Sequence, residues 1–124
     1  MALNDWVLRG KPWEEWGNPL ALYTYDILGK EFGWDVVTEV LKEYIPIEGT
    51  LVNESDDVRL DIWAHFYVTK LQKNLCPYFE WWGWQLSEET LITCESLPAF
   101  DETKLLGDFI RKECIKACML LLLY

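Results

Sequence analysis

The side chains of this sequence that could do acid–base chemistry or bind a metal are few, and their spacing suits neither. His65 is the only histidine, and Asp61 stands four residues before it on the same face of a predicted helix. Such a pair could form a carboxylate-oriented base or part of a metal site. A zinc site needs three or four ligands, however, and no second histidine is present to join it. We therefore expect an ordinary histidine at position 65, with no catalytic residue, metal site or cofactor in this chain.

The acidic cluster Glu54, Asp56, Asp57 and Asp61 is a superficial match to a cation site. It lacks the alternating oxygen ligands and the central glycine of a calcium loop. Acids that favour the positive end of a helix dipole explain it more simply. The serines lack a nucleophile-elbow context, and no glycine-rich phosphate loop is present. The sequence therefore predicts a protein that is not an enzyme.

The cysteines could form two disulfides, but the N-terminus is charged and rich in tryptophan, unlike a secretory signal. We therefore expect free buried thiols in a reducing compartment, and a cytoplasmic location. Cys114 and Cys118 have ligand-like spacing but no second pair nearby, so zinc is not predicted there either. The four cysteines are Cys76, Cys94, Cys114 and Cys118.

Residues 72–84, QKNLCPYFEWWGW, are the most informative stretch. Pro77 suits the first turn of a short helix, and Gly83 suits a left-handed cap that closes it. Adjacent Trp81 and Trp82 cannot both point inward from one helix, so at least one should face a neighbour or a partner. Core packing, a protein interface and contact with a glycan remain alternatives for these rings. The candidate partner-binding residues are Tyr78, Trp81, Trp82 and Trp84.

Other tryptophans flank this stretch in the sequence. Trp6, Trp13 and Trp16 lie in an N-terminal segment that we expect to pack across the helices as a lid. Trp34 and Trp63 are expected in or near the core.

The formal net charge of the chain is −10, and because residues 101–124 carry four charges of each sign, the excess lies in residues 1–100. An acidic body repels phosphate, which argues against binding to nucleic acid or anionic lipid. The longest apolar run, Ala117–Tyr124, is eight residues, far short of the ~20 that a membrane span needs. If exposed, Met119–Leu123 would favour self-association.

Hydrophobic spacing predicts an all-α fold, a bundle of four or five helices with one short aromatic-rich helix. Asn18, Asp35 and Ser87 are predicted N-caps, and Gly33 is a predicted stop. An exposed loop is expected over Ile47–Asp56. The predicted helices run from Pro19 to about Phe32, from the cap Asp35 to just before Pro46, from Asp56 or Asp57 to Leu75, through the aromatic stretch, from the cap Ser87 to Pro98, and over Glu102–Leu123.

Several motifs recur in the same order in one known family. They are Phe32-Gly33-Trp34, the D-x-W of residues 61–63, the 74–84 stretch, a Ser-Glu helix start and the Leu-Pro of residues 97–98. Over residues 18–100 the chain resembles the C-terminal helical part of the TRP channel-associated factors, whose parent superfamily is the enhancin-like metallopeptidases. Accordingly, we divide the chain into a lid at 1–17, a helical domain at 18–100 and a divergent helix or tail at 101–124.

Two departures from the family limit what the resemblance implies. The zinc motif HExxH of the peptidase relatives is missing, so this chain alone cannot perform their hydrolysis. Residues 101–124 do not match the family ending, so that segment is either a divergent tail or an artefact of gene prediction, with Met1 opening a fragment.

The resemblance implies function by binding. It leads us to expect a non-catalytic interaction module that binds a TRP-type cation channel, regulates its surface delivery and gating, and lies at the plasma membrane through that partner. The alternative is a subdomain that lines the substrate cleft of a glycoprotein-directed, enhancin-like peptidase whose catalytic half is missing. A purely structural remnant, the third alternative, predicts that the five central tryptophans are all buried.

Overall fold

The computed structural model describes residues 2–17, 20–107 and 109–110. Within these ranges the fold is all-α, as predicted, and extended pairing is limited to a single bridge between Asn74 and Ala99. Two 3-10 segments, Trp13–Glu15 and Ile45–Leu51, lie between the α-helices, and residues 103–107 and 109–110 are also helical. The α-helices are α1 Ala2–Leu8, α2 Leu20–Phe32, α3 Trp34–Tyr44, α4 Asp56–Leu71, α5 Cys76–Trp81 and α6 Glu88–Glu95.

Gly33 separates α2 from α3, which confirms the predicted stop. Its φ of 96° is a conformation that side chains rarely adopt, and its N–H donates to the carbonyl of Gly29 at 2.9 Å. Because Gly33 itself precedes the first turn of α3, Asp35 lies inside that turn. The prediction of Asp35 as the N-cap is therefore wrong. The predicted N-cap Asn18 and the helix start at Pro19 fall outside the described residues.

The connection predicted as an exposed loop over Ile47–Asp56 is exposed along most of its length, but residues 47–51 belong to the 3-10 segment Ile45–Leu51, so the prediction of a loop is wrong there. The guanidinium of Arg59 donates to the carbonyl oxygens of Leu51 and Val52 at 3.1 and 2.7 Å. These bonds pair carbonyl groups at the end of the segment with a side chain from the start of α4. Local sequence gave no sign of that partner.

The helix α4 starts where the acids predicted, since Ser55 caps it and Asp56 and Asp57 occupy its first turn. It ends at Leu71, however, and not at Leu75. Gln72 adopts a left-handed φ of 54° and closes the helix with a backbone bond to Val68 at 2.9 Å. The prediction at Ser87 is confirmed, because its hydroxyl accepts the N–H of Thr90 at 3.2 Å and caps α6.

A disulfide joins Cys76 of α5 to Cys94 of α6, with the two Cα atoms 6.2 Å apart. The prediction of free thiols is wrong for this pair. Both residues are buried where α5 packs on α6, and such pairing depends on tertiary contact that cysteine spacing does not reveal. Cys114 and Cys118, the end of the predicted last helix and the apolar run at 119–123 lie outside the described residues.

No helix in the described part of the chain has the length and apolar character needed to cross a membrane.

Candidate functional site

The aromatic helix α5 lies at the centre of the core. Trp82 is only 1% exposed and stacks on Trp6 of α1, with ring centroids 5.6 Å apart and planes at 20°. Phe79 stacks on Trp84 in the same way at 4.7 Å. The hydroxyl of Tyr78 donates to the carbonyl of Thr24 in α2 at 2.7 Å, and burial raises its pKa above the ordinary range. These contacts tie α1, α2 and α5 together.

Residues 11–16 pack directly over α5. The ammonium of Lys11 donates to the backbone carbonyl of Trp81 at 2.9 Å and lies 4.3 Å from the centroid of the indole ring of Trp81. Trp16 meets Trp84 edge to face at 5.6 Å. Aromatic side chains that the sequence left open to a partner are thus covered by the chain's own N-terminal segment.

Gly83, after α5, has the left-handed conformation that its sequence position predicted, with a φ of 99°. A Cβ at this position would lie 2.9 Å from Cε3 of Trp13, closer than real Cβ contacts come. Backbone conformation and the approach of Trp13 therefore both require glycine here.

The four candidate partner-binding residues have different surroundings. Tyr78, Trp82 and Trp84 are buried, whereas Trp81 is partly exposed. The rings of Trp81 and Trp82 lie at 88° to each other, so the two point in different directions. Binding of a partner by these residues stays a prediction. For the three buried rings it would require movement of the segment that covers them.

Trp34, which we placed in or near the core, is 52% exposed, so that prediction is wrong. One face of its ring rests on α2, where a Cβ added to Gly29 would lie 2.6 Å from Cε2 of Trp34. The exposure of Trp34 also contradicts the expectation, from the structural-remnant alternative, that every central tryptophan is buried.

A cleft of about 440 Å³ opens between the first 3-10 segment, the end of α3 and the start of α4. Two pairs of rings line it. Trp13 and Trp16 stack at 5.3 Å with planes at 11°, while Tyr44 and Trp63 lie at 4.8 Å with planes at 31°. We call this space the aromatic cleft. Sequence reasoning missed it, because its walls come from segments up to fifty positions apart and meet only through packing.

Three charged residues also line the aromatic cleft, namely Glu14, Asp56 and Arg59. Besides its bonds to the two carbonyls, Arg59 lies 3.5 Å from Asp56, whose side chain is 87% exposed. Glu14 is exposed and has no ion-pair partner among the described residues. Tyr25 contacts Trp63 with ring centroids 5.7 Å apart, and burial raises the pKa of its hydroxyl to about 12.

A smaller cavity of about 280 Å³ is lined by Asp61 and His65. The carboxylate of Asp61 accepts the backbone N–H of Ser87 at 2.8 Å, and so helps to position the start of α6. Within the described ranges no group of three or more His, Cys, Asp or Glu side chains is placed to hold a metal ion.

The family model for Peptidase M60, enhancin and enhancin-like proteins matches residues 3–83. The chain belongs to this family. The match includes α1 through α5, and hence every wall of the aromatic cleft.

Among individual proteins the chain is similar to the TRPM8 channel-associated factors, which confirms the resemblance seen in its motifs. It is 33% identical to TRPM8 channel-associated factor 2 of Homo sapiens over 94 residues, 76% of this chain and 10% of that protein. It is 29% identical to the Xenopus laevis homolog over 100 residues, which cover 81% and 11% of the two chains. The chain thus spans about a tenth of the length of these relatives. No solved structure matches it.

Proposed function

We propose that this chain is a non-catalytic module of protein interaction that binds a TRP-type cation channel and regulates its delivery to the plasma membrane and its gating. The similarity to TRPM8 channel-associated factors over three quarters or more of the chain carries this proposal. In this proposal the protein lies at the membrane through its partner. Its helical part, residues 18–100, supplies the binding surface, while residues 1–17 cover the core.

An apolar face of α3 supports a role in protein contact. Trp34 and Leu41 of α3 and Ile45, the residue that follows its end, are all exposed and stand at positions i, i+7 and i+11, which fall on one side of a helix. Adjoining apolar side chains at a surface are typical of protein contact sites. A partner's helix or strand could cover this face without disturbing the core, which lies on the other side of α3 at Val40 and Tyr44.

Calorimetric titration of residues 1–124 with purified cytosolic segments of a TRPM8-type channel tests the proposal. We expect saturable binding, and weaker binding by Trp34→Ala if the α3 face contributes. Ile92→Ala is the matched control, because Ile92 is an equally exposed apolar residue on α6. If no cytosolic channel segment binds, the proposal is wrong.

The family match favours a second candidate, a helical subdomain that lines the substrate cleft of an enhancin-like peptidase. The lone histidine rules out an HExxH motif within this chain, so its zinc site and catalytic residues would belong to another part of such a protein. A mucin-like glycopeptide, titrated in parallel with the channel segments, distinguishes the two. Binding of the glycopeptide alone would favour the peptidase subdomain.

A further inference from the structure

The aromatic cleft combines aromatic rings with negative charge. Its walls are two pairs of rings, and Glu14 and Asp56 supply carboxylates beside them. Among the described residues of its lining the cation is Arg59, which already donates to the carbonyls of Leu51 and Val52 and lies 3.5 Å from Asp56. Its guanidinium therefore holds a backbone segment in place and offers little to an incoming anion.

Ring faces and carboxylates together are the surroundings that a guanidinium prefers. The flat cation stacks on aromatic faces, and its fork of N–H donors matches a carboxylate. A volume of about 440 Å³ gives room for one long side chain. The excess of acids over the whole chain, a net charge of −10, attracts basic partners.

We propose that the aromatic cleft binds an arginine side chain from a basic segment of a partner protein, with the guanidinium between the rings and the carboxylates of Glu14 and Asp56. This inference rests on the proposed function, in which the chain acts by protein contact, and adds the chemistry of one anchor. A phosphate-bearing ligand would be repelled by the two carboxylates. A purely apolar segment would cover the carboxylate of Glu14, which has no ion-pair partner among the described residues, and such burial is costly.

The probe for the test is the peptide acetyl-Gly-Gly-Arg-Gly-Gly-amide, with the same peptide containing citrulline as its neutral isostere. Titration is followed through the indole N–H signals of the ¹⁵N-labelled chain. We expect the arginine peptide to shift the signals of Trp13, Trp16 and Trp63, and to bind at least tenfold more tightly than the citrulline peptide. Equal binding of the two peptides, or shifts confined to other tryptophans, would overturn the inference.

The double variant Glu14→Gln/Asp56→Asn removes both carboxylates from exposed positions. It should weaken binding of the arginine peptide at least tenfold and leave the remaining signals of the spectrum in place. The matched control is Glu31→Gln/Glu95→Gln, which removes the same charge from two exposed residues that do not line the cleft. If both double variants weaken binding equally, the effect is one of net charge alone and the inference is wrong.

Titration of the same variants with the channel segments separates this inference from the proposed function. If the segments bind the chain and Glu14→Gln/Asp56→Asn has no effect, the inference fails and the proposed function stands. If the arginine peptide occupies the cleft and no channel segment binds, the inference stands and the channel is not the partner.

Discussion

Two groups of aromatic side chains each include tryptophans of the N-terminal segment. One group is buried in the core, and the other lines the aromatic cleft. The group around α5, including Trp6 and Trp82, is closed on all sides by other rings and by α2. The group in the aromatic cleft, including Trp13 and Trp63, borders a space of about 440 Å³ beside two carboxylates. Residue type is the same in both groups. Whether a tryptophan ring stabilises the fold or is available to a ligand therefore depends on which segments of the chain pack against it.

The largest effect that we expect is at the closed group. Trp82→Ala should lower the free energy of unfolding by about 3–5 kcal/mol, because it removes a fully buried ring and leaves a cavity. Trp34→Ala is its control, since that side chain is half-exposed and rests on α2 at Gly29. Urea unfolding followed by circular dichroism measures both. Equal losses for the two variants would show that the contrast between buried and exposed tryptophans is wrong.

Removal of the disulfide that joins α5 to α6 should cause a smaller loss of stability. The bond closes a loop between residues 18 positions apart. Closing a loop of that size lowers the entropy of the unfolded chain and so stabilises the folded chain by about 3 kcal/mol. Cys76→Ala/Cys94→Ala should therefore unfold at lower urea than the wild type, and a reductant should lower the wild type toward the variant. The arginine peptide should bind the folded variant unchanged, since neither cysteine lines the aromatic cleft. If reductant leaves the urea midpoint of the wild type unchanged, the disulfide between Cys76 and Cys94 is contradicted.

Much of the fold could be predicted because its helix ends depend on local chemistry. Ser87 and Gly33 act where their types predict, as does Gly83, and the start of α4 follows from its acids. The end of α4 could not be predicted, because Gln72 rarely takes a left-handed conformation. The 3-10 segment after α3 depends on Arg59, a partner from α4 that only the folded chain brings close.

Less of the candidate site could be predicted. The sequence indicated that Trp81 and Trp82 do not both point inward and that an N-terminal segment packs across the helices, but not that this segment lies over the rings of residues 81–84. The sequence contains two weak signals of the aromatic cleft. They are the pair Trp13 and Trp16, three positions apart, and the acids near Asp56. Nothing local connects these two signals, since packing of the N-terminal segment against α4 brings them together.

The smallest stability effect that we predict is at Gly83, where the two aromatic groups meet. Gly83→Ala should cost on the order of 1–3 kcal/mol, because alanine is strained at a φ of 99° and its Cβ would push on Trp13. Gly49→Ala is the control, since nothing lies within 4 Å of a Cβ there. Because Trp13 also forms a wall of the aromatic cleft, Gly83→Ala should weaken binding of the arginine peptide as well. A stability loss with unchanged binding would mean that the two groups are mechanically independent, and that the cleft keeps its shape when its contact with the core is disturbed.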